Sequence, residues 1–297
     1  MIWAVLLLNG LIMILNSKSK YDLESTLYSG QSFLWDPIQD ENLKTHEVIL
    51  NKTRYRARQI YDQVEMVYPL HPNETQIKVL ENYLRVDDDL SEIYKSIQSD
   101  NYLLSAFNKF EGLHLLRQDP WECLVTFICS SNNNMKRIKL MLRKLINSSG
   151  NTLNDSFGEY KTFPTPSQII DAGEDNLRSM GFGYRAKYIF ETSKIILKDN
   201  IDLKKLRSQN YYDNLNQLTM FPGVGDKVAN CVMLFSLDNL NAFPVDVWIN
   251  RVLRETYLND NVNKIHDSKL RSHFQDYFGE NSGYINHYLF HSRRNDD

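Results

Sequence analysis

The chain has 297 residues, of which 42% are hydrophobic and 24% are charged. This length and apolar content are enough to bury a substantial core over two or three subdomains. A net charge of -3 excludes a polycation, so any contact with a nucleic acid must come from local basic patches.

The N-terminal residues 1–15 form an apolar extension, interrupted by Asn9 and Gly10. A helix needs roughly 20 apolar residues to span a bilayer, so this extension is too short. It also lacks the basic start and the small-residue cleavage site of a signal peptide. We favour the interpretation that translation starts at Met13, and we expect a soluble protein with no membrane partner.

The sequence pattern of residues 16–112 predicts an antiparallel β domain followed by helices. Short stretches alternate apolar and polar residues, which is typical of a sheet with one solvated face. The candidate strands are Gly30–Trp35, His46–Leu50, Arg54–Arg58 and Tyr61–Tyr68. From Glu74 the apolar spacing lengthens to that of helices. Asp87–Asp89 has no second group of ligands at a suitable spacing, so we interpret it as a helix-start loop and not as a metal site.

The remaining residues, 113–297, predict a helical domain. An apolar run opens at Pro120, the polar stretch 130–134 interrupts it, and a basic helix follows from Met135 to Ile146. This helix carries five cations and no acid between Lys136 and Lys144. A solvated face gives the same pattern, but beside a polar turn it is the best electrostatic footprint for a DNA backbone in the sequence.

A second basic segment is the glycine-bracketed loop Gly181–Lys187, which displays an aromatic residue and two cations. An exposed aromatic side chain beside cations suits insertion into a base stack. An ordinary helix-start loop with a packed tyrosine is the alternative.

The stretch Leu218–Arg254 combines a glycine turn, a lysine and a carboxylate. In the turn Phe221–Gly225, the two glycines Gly223 and Gly225 suit a left-handed backbone or a close approach. A helix begins directly after the turn, so its free N–H groups and the glycine backbone form an anion site that fits a DNA phosphate. Lys227 lies in the first turn of this helix, and Asp246 precedes the next amphipathic run.

Each of these features also has a plainer interpretation. Glycine turns between helices occur in purely structural DNA-binding modules, Lys227 can be only a phosphate contact, and Asp246 can be only an N-cap. Together, a lysine and a carboxylate at two helix starts beside a phosphate-binding turn indicate amine chemistry on a nucleic acid.

Several segments, in this order, make the chain resemble the 8-oxoguanine DNA glycosylase family of bifunctional glycosylase/lyases, in the branch with an N-terminal β domain. The segments are Ser29–Phe33 (SGQSF), Asp119–Glu122 (DPWE), Phe127–Asn134 (FICSSNNN), Gly181–Ala186 (GFGYRA), Phe221–Cys231 and Pro244–Val247 (PVDV). The resemblance spans from about residue 29 to about residue 290, which is nearly the whole chain. The resemblance implies an α+β fold, with an antiparallel sheet joined to a mostly α-helical, two-lobed helix-hairpin-helix body and the DNA groove between the lobes.

The resemblance implies chemical roles for individual residues. Lys227 would attack C1′ of the damaged nucleotide to form a Schiff base, and Asp246 would help to activate the amine and stabilise the sugar cation. Gly30 would offer its carbonyl to the N7 hydrogen that 8-oxoguanine has and guanine lacks, while Cys231 and Phe290 would sandwich the base.

It also implies the residues that contact DNA. These are Asn132 in the vacated stack, Tyr184 as a wedge, Arg137 and Arg185 reading the opposite cytosine, and Gly223 and Gly225 at the phosphate turn. The chain departs from the family pattern in three places. Asn286 stands where the family usually has a glutamine facing the base, and Trp248 stands where it often has a phosphate-contacting histidine. The residues directly after Phe290, His291–Arg294, lack the acidic residue expected nearby.

The predicted activity is excision of 8-oxoguanine opposite cytosine from duplex DNA, followed by β-elimination. We expect an intracellular monomer located with DNA, in the nucleoid or the nucleus, with no metal and no organic cofactor. The three cysteines, Cys123, Cys129 and Cys231, form no C-x-x-C pair and fit a reducing compartment.

The alternatives belong to other classes. An endonuclease III-like enzyme for oxidised pyrimidines usually has a four-cysteine iron–sulfur cluster after the catalytic aspartate, and this chain has no cysteine beyond Cys231. A non-catalytic helix-hairpin-helix scaffold would need Lys227 for affinity alone. A small-molecule enzyme is disfavoured because the sequence has no nucleotide-binding glycine loop and no nucleophile elbow.

Overall fold

The computed structural model describes residues 5–7, 10–40, 43–67, 72–258 and 265–296. An antiparallel β domain is joined to a larger helical body, which confirms the predicted α+β class. The strands are β1 (Val5–Leu7), β2 (Gly10–Leu15), β3 (Asp36–Asp40), β4 (Leu43–Leu50), β5 (Thr53–Ile60), β6 (Gln63–Val67), β7 (Thr152–Asp155) and β8 (Gly158–Lys161).

Helices account for most of the rest of the described chain. They are α1 (Leu23–Tyr28), α2 (Glu74–Leu84), α3 (Leu90–Ser96), α4 (Asn101–Lys109), α5 (Pro120–Ser130), α6 (Met135–Ser149), α7 (Pro166–Ala172), α8 (Glu174–Leu177), α9 (Arg185–Lys198), α10 (Tyr211–Thr219), α11 (Asp226–Ser236), α12 (Val247–Thr256), α13 (Asp267–Phe278) and α14 (Ser282–Asp296). A π-helical turn covers Arg178–Phe182, and 3₁₀ turns cover Leu203–Ser208 and Gly279–Asn281. None of the helices within the described ranges is long and apolar enough to cross a bilayer.

Within the described ranges, the β domain is one antiparallel sheet in the order β1-β2-β6-β5-β4-β3. Alternate residues point to one buried face, as the pairing of Val48 with Tyr55 and the burial of Ala57 and Met66 show. This face packs against α2. The apolar extension predicted at residues 1–15 contributes β1 and β2, and its residues 1–4 and 8–9 lie outside the described residues, as does Tyr68 of a predicted strand.

The prediction of a strand at Gly30–Trp35 is wrong, because Gln31 bonds to distant loop and side-chain groups and not to a neighbouring strand. Gln31 is fully buried, and its amide donates to the carbonyls of Thr26 and His114 at 2.9 and 2.8 Å. The amide of Gln118 donates to the Gln31 carbonyl at 2.7 Å. The Gln31 carbonyl is thus satisfied without a strand partner, and the segment forms an irregular turn that is largely buried.

The helical predictions around the central helices are confirmed. Asp119 caps α5 by accepting from the Trp121 N–H at 2.9 Å, with Pro120 in the first helical position. Asn134 caps α6 by accepting from the Arg137 N–H at 2.9 Å. Because α5 is buried on almost every face and packs against α11, it fixes where these two helices present their side chains. The acidic loop also begins a helix, since Asp89 caps α3.

The basic face of α6 is less available than its composition suggests. Lys139 and Arg143 pair with Asp36 at the start of β3. Arg137 and Lys144 lie near the backbone carbonyls of Gly181 and Met180, at 3.3 and 3.5 Å. Asp36 therefore compensates part of the positive charge of this helix, although Lys136, Arg137, Arg143 and Lys144 all remain exposed.

Candidate active site

A cavity of about 400 Å³ lies between the Gly30 turn and helices α5, α6, α11, α12 and α14. The predicted catalytic and base-pocket residues all line it, namely Lys227, Asp246, Gly30, Cys231, Asn286 and Phe290. Gly30 and Phe290, which are 260 positions apart along the chain, therefore meet in a single space within the size range of ligand pockets.

Lys227 lies in the first turn of α11 and is half-buried. Its Nζ donates to the Ser130 hydroxyl at 3.0 Å and lies 5.6 Å from the centroid of the Phe127 ring. Because Ser130 in turn donates to the Phe127 carbonyl at 2.8 Å, the end of α5 holds the amine at the mouth of the cavity.

Asp246 caps α12 and faces the same cavity. Its Oδ1 accepts the N–H groups of Trp248 and Ile249 at 3.0 and 2.9 Å. Burial raises the pKa of Asp246, while these N–H groups and the nearby charge of Lys227 act in the opposite direction. Both cap bonds end on Oδ1, so Oδ2 takes no part in capping the helix.

The walls of the cavity are largely apolar. Burial raises the pKa of Cys231 to about 11 despite the nearby charge of Lys227, so this thiol stays neutral and packs as a small apolar group. Phe290 lines the cavity next to Gly30, whose backbone has a φ of +98°. The Asn286 amide donates to the Pro244 carbonyl at 3.0 Å, which ties this side chain to the segment that carries Asp246.

The predicted DNA-contacting residues Asn132, Tyr184 and Arg185 form one cluster beside the cavity. Asn132 is exposed in a left-handed conformation, with a φ of +47°. The 46% exposed Tyr184 donates its hydroxyl to the Ser131 carbonyl at 3.1 Å. Arg185 is only 3% exposed and donates to the carbonyls of Ser131 and Asn132. To contact a base, Arg185 would have to give up its hydrogen bonds to these carbonyls, whereas Arg137 is already exposed.

The glycine turn before α11 needs glycine at only one of its two positions. Gly223 has a φ of +77°, and a Cβ there would lie 2.3 Å from the Tyr188 ring. Gly225 has an extended backbone with a φ of -96°, and no described protein atom lies near the position of a Cβ. The predicted need for a left-handed or crowded backbone is confirmed for Gly223 and not for Gly225.

We expect Gly223→Ala to destabilise the fold and Gly225→Ala to leave its stability almost unchanged. A left-handed backbone costs a non-glycine residue about 1–2 kcal/mol, and displacement of Tyr188 adds to this cost. The Gly225 change should alter the free energy of unfolding by less than roughly 0.5 kcal/mol. Thermal denaturation of both variants measures the difference, and equal melting temperatures would contradict the described turn.

Sequence reasoning missed three residues of the site. Ser130 lies within the SSNNN run but was assigned no role, although it is the partner of Lys227. His287 and Arg294 also line the cavity. Their spacing of seven residues, with Phe290 and His291 between them, is the helical signal that could have identified this face of α14.

Comparisons with known proteins show which family the chain resembles. Residues 13–124 match the family described as 8-oxoguanine DNA glycosylase, N-terminal domain, and residues 125–279 match the HhH-GPD superfamily base excision DNA repair protein. The N-glycosylase/DNA lyase of Saccharomyces cerevisiae is 33% identical over 284 residues, covering 87% of this chain and 74% of that protein. The N-glycosylase/DNA lyase OGG1 of Arabidopsis thaliana is 34% identical over 287 residues, covering 90% and 76%.

A solved structure extends the likeness to the whole fold. The Clostridium acetobutylicum 8-oxoguanine glycosylase/lyase, in complex with double-stranded DNA containing cytosine opposite 8-oxoguanine, has a TM-score of 0.88 and 29% identity to this chain. The match covers 100% of this chain and 98% of that one. The chain therefore belongs to the 8-oxoguanine DNA glycosylase family, within the HhH-GPD superfamily of base excision DNA repair proteins.

Proposed function

We propose that this chain is a bifunctional DNA glycosylase/AP lyase that removes 8-oxoguanine opposite cytosine from duplex DNA and then nicks the strand. The observation that carries the proposal is a single cavity of about 400 Å³ that is lined by the Lys227 amine, the Asp246 carboxylate and largely apolar side chains. Family membership and the named activities of the relatives support the same reaction.

The first step replaces the base by the amine. The unprotonated Nζ of Lys227 attacks C1′ of a nucleotide that has left the base stack, and the bond from C1′ to the base breaks. The base leaves with the electron pair of that bond and takes up a proton. The negative charge of Asp246 stabilises the positive charge that develops on the sugar, and low exposure strengthens this interaction.

The second step cuts the backbone. The sugar ring opens to a Schiff base between C1′ and Nζ, which makes the hydrogens on C2′ acidic. Loss of one of them as a proton drives elimination of the 3′-phosphate, which leaves with the electron pair of its bond to C3′. Water then hydrolyses the Schiff base and returns the free amine of Lys227, so the cycle needs no redox partner.

Recognition of the lesion is assigned to the walls of the cavity. The Gly30 carbonyl would accept the N7 hydrogen of 8-oxoguanine, and guanine has no hydrogen there to donate. A hydrogen bond of this kind discriminates well only in a water-poor pocket, and Cys231, Phe290 and Asn286 supply such surroundings. Asn132, Arg137, Tyr184, Arg185, Gly223 and Gly225 would bind the duplex around it, and the chain would act as a monomer located with DNA.

A panel of labelled duplexes tests the function. It contains 8-oxoguanine opposite cytosine, 8-oxoguanine opposite adenine, an oxidised pyrimidine and undamaged guanine. We expect the fastest excision and incision with 8-oxoguanine opposite cytosine. Preferential incision at the oxidised pyrimidine would keep the lysine chemistry and overturn the substrate, and binding without any incision would favour a non-catalytic scaffold.

The Ser130 hydroxyl should affect the rate because it holds the nucleophile. Ser130→Ala removes the acceptor of the Lys227 hydrogen bond. Since a hydrogen bond to a charged group is worth about 1.5–3 kcal/mol, we expect AP-site incision to slow by roughly tenfold or more. The neighbouring Ser131→Ala is the matched control, because Ser131 contacts Tyr184 and Arg185 only through its carbonyl in the contacts described above. Equal rates for the two variants would count against a role for Ser130.

A further inference from the structure

The Gly30 turn is held from one side by the C-terminal helix α14. Ser29 is fully buried, and its hydroxyl lies 2.9 Å from Nε2 of His287. Arg294 donates from Nη1 to the Ser29 carbonyl at 2.9 Å and from Nη2 to the Tyr28 carbonyl at 3.2 Å. These two side chains are seven residues apart, so one face of α14 makes all three contacts.

The protonation of this contact follows from its partners. The Ser29 hydroxyl lies 3.1 Å from the Thr26 carbonyl and 2.9 Å from Nε2 of His287, and when it donates to the carbonyl its oxygen accepts from Nε2. Burial lowers the pKa of His287 well below its usual value, and the positive charge of Arg294 adds to the effect. His287 is therefore neutral, and Arg294 carries the positive charge of this face.

Arg294 reaches the turn through a crowded space. A Cβ on Gly30 would lie 2.8 Å from Nη1 of Arg294 and 3.3 Å from the Phe290 ring. The guanidinium also lies 5.6 Å from the centroid of that ring, so it packs on the aromatic wall of the base pocket. Because its two donors bind consecutive carbonyls, Arg294 fixes the backbone direction immediately before Gly30.

We propose that Arg294, assisted by His287, is the positioning residue that sets the Gly30 carbonyl for recognition of the lesion. This inference rests on the proposed function, in which that carbonyl accepts the N7 hydrogen of 8-oxoguanine. A displacement of about 1 Å at a recognition group can reduce a rate by roughly 100-fold. An AP site has no base, so its incision depends on Lys227 and Asp246 and not on the Gly30 carbonyl.

Single-turnover rates on two duplexes separate recognition of the lesion by the Gly30 carbonyl from the chemistry of Lys227 and Asp246. One duplex carries 8-oxoguanine opposite cytosine, and the other carries an AP site opposite cytosine. We expect Arg294→Met to slow excision of 8-oxoguanine by about 10–100-fold while AP-site incision stays within about threefold. Arg294→Lys should recover part of the loss, because one ammonium can bind a single carbonyl but cannot bridge two.

The neighbouring Arg293→Met is the matched control for loss of a charge on the same helix. Arg293 pairs with Glu255 at 3.0 Å and does not line the cavity, so both of its rates should stay within about twofold of wild type. An equal loss on both duplexes for Arg294→Met, or no loss on either, would overturn the positioning role. A wild-type protein that incises neither duplex would overturn the proposed function itself, and the inference with it.

Discussion

Lys227→Gln is expected to abolish AP-site incision, with a loss of roughly 10³-fold or more. The amide of glutamine cannot form a Schiff base, whereas it can still donate a hydrogen bond to Ser130, the partner of the lysine amine. The fold and the phosphate contacts of the neighbouring turn should therefore persist. Single-turnover incision of an AP-site duplex measures the loss, and a binding isotherm with the same duplex checks that affinity remains within a few-fold.

Lys204→Gln is the control for removal of a lysine. Lys204 is exposed, lies 3.5 Å from Asp119 and does not line the site cavity, so its loss should leave incision unchanged. If Lys227→Gln incised AP sites at the wild-type rate, another group would have to be the nucleophile. If it lost both incision and thermal stability, the residue would be structural.

Asp246→Asn is expected to reduce excision of 8-oxoguanine by about 10²–10⁴-fold without a comparable loss of stability. Asparagine caps helices about as well as aspartate, so the bonds to the N–H groups of Trp248 and Ile249 can persist. The negative charge beside Lys227 is lost, and with it the stabilisation of the sugar cation. Single-turnover excision and thermal denaturation of the same preparation measure the two effects separately.

Asp89→Asn makes the same chemical change at a helix cap away from the cavity. Asp89 accepts from the Ser91 N–H at 2.9 Å and from the Ser19 hydroxyl at 3.4 Å, so its substitution reports the cost of changing a cap that does not line the cavity. We expect excision to be unaffected in this variant. A loss of excision in Asp246→Asn that matches a loss of stability would contradict a chemical role for the carboxylate and leave Asp246 as an N-cap only.

The elements with local signals could be predicted from the sequence. Pro120 and the caps Asp119, Asn134 and Asp246 mark the starts of α5, α6 and α12, since a cap acts within one helical turn. Lys227 and Asp246 also lie at helix starts that local sequence signals mark, namely the glycine turn before α11 and the cap of α12. The fold then brings both residues to one cavity.

The features that depend on distant contacts could not be predicted. The Gly30 segment alternates like a strand, but the Gln31 side chain bonds to the backbone of His114 and Leu116, and the Gln31 carbonyl accepts from the Gln118 side chain, all far along the chain. The contact between Arg294 and Ser29 joins residues separated by 265 positions, which no local pattern reports. The pairing of Lys139 and Arg143 with Asp36 could not be predicted, because the sequence shows which residues are charged and not which of them are in contact.

The central claim is that Lys227 forms a covalent intermediate at a nucleotide carrying 8-oxoguanine. Borohydride reduction during reaction with an 8-oxoguanine:cytosine duplex tests it most directly, followed by proteolysis and mass spectrometry of the trapped peptide. We expect a stable protein–DNA adduct in which the modified residue is Lys227, and no adduct with undamaged DNA. An adduct on a different residue, or excision of 8-oxoguanine with no adduct, would contradict the claim.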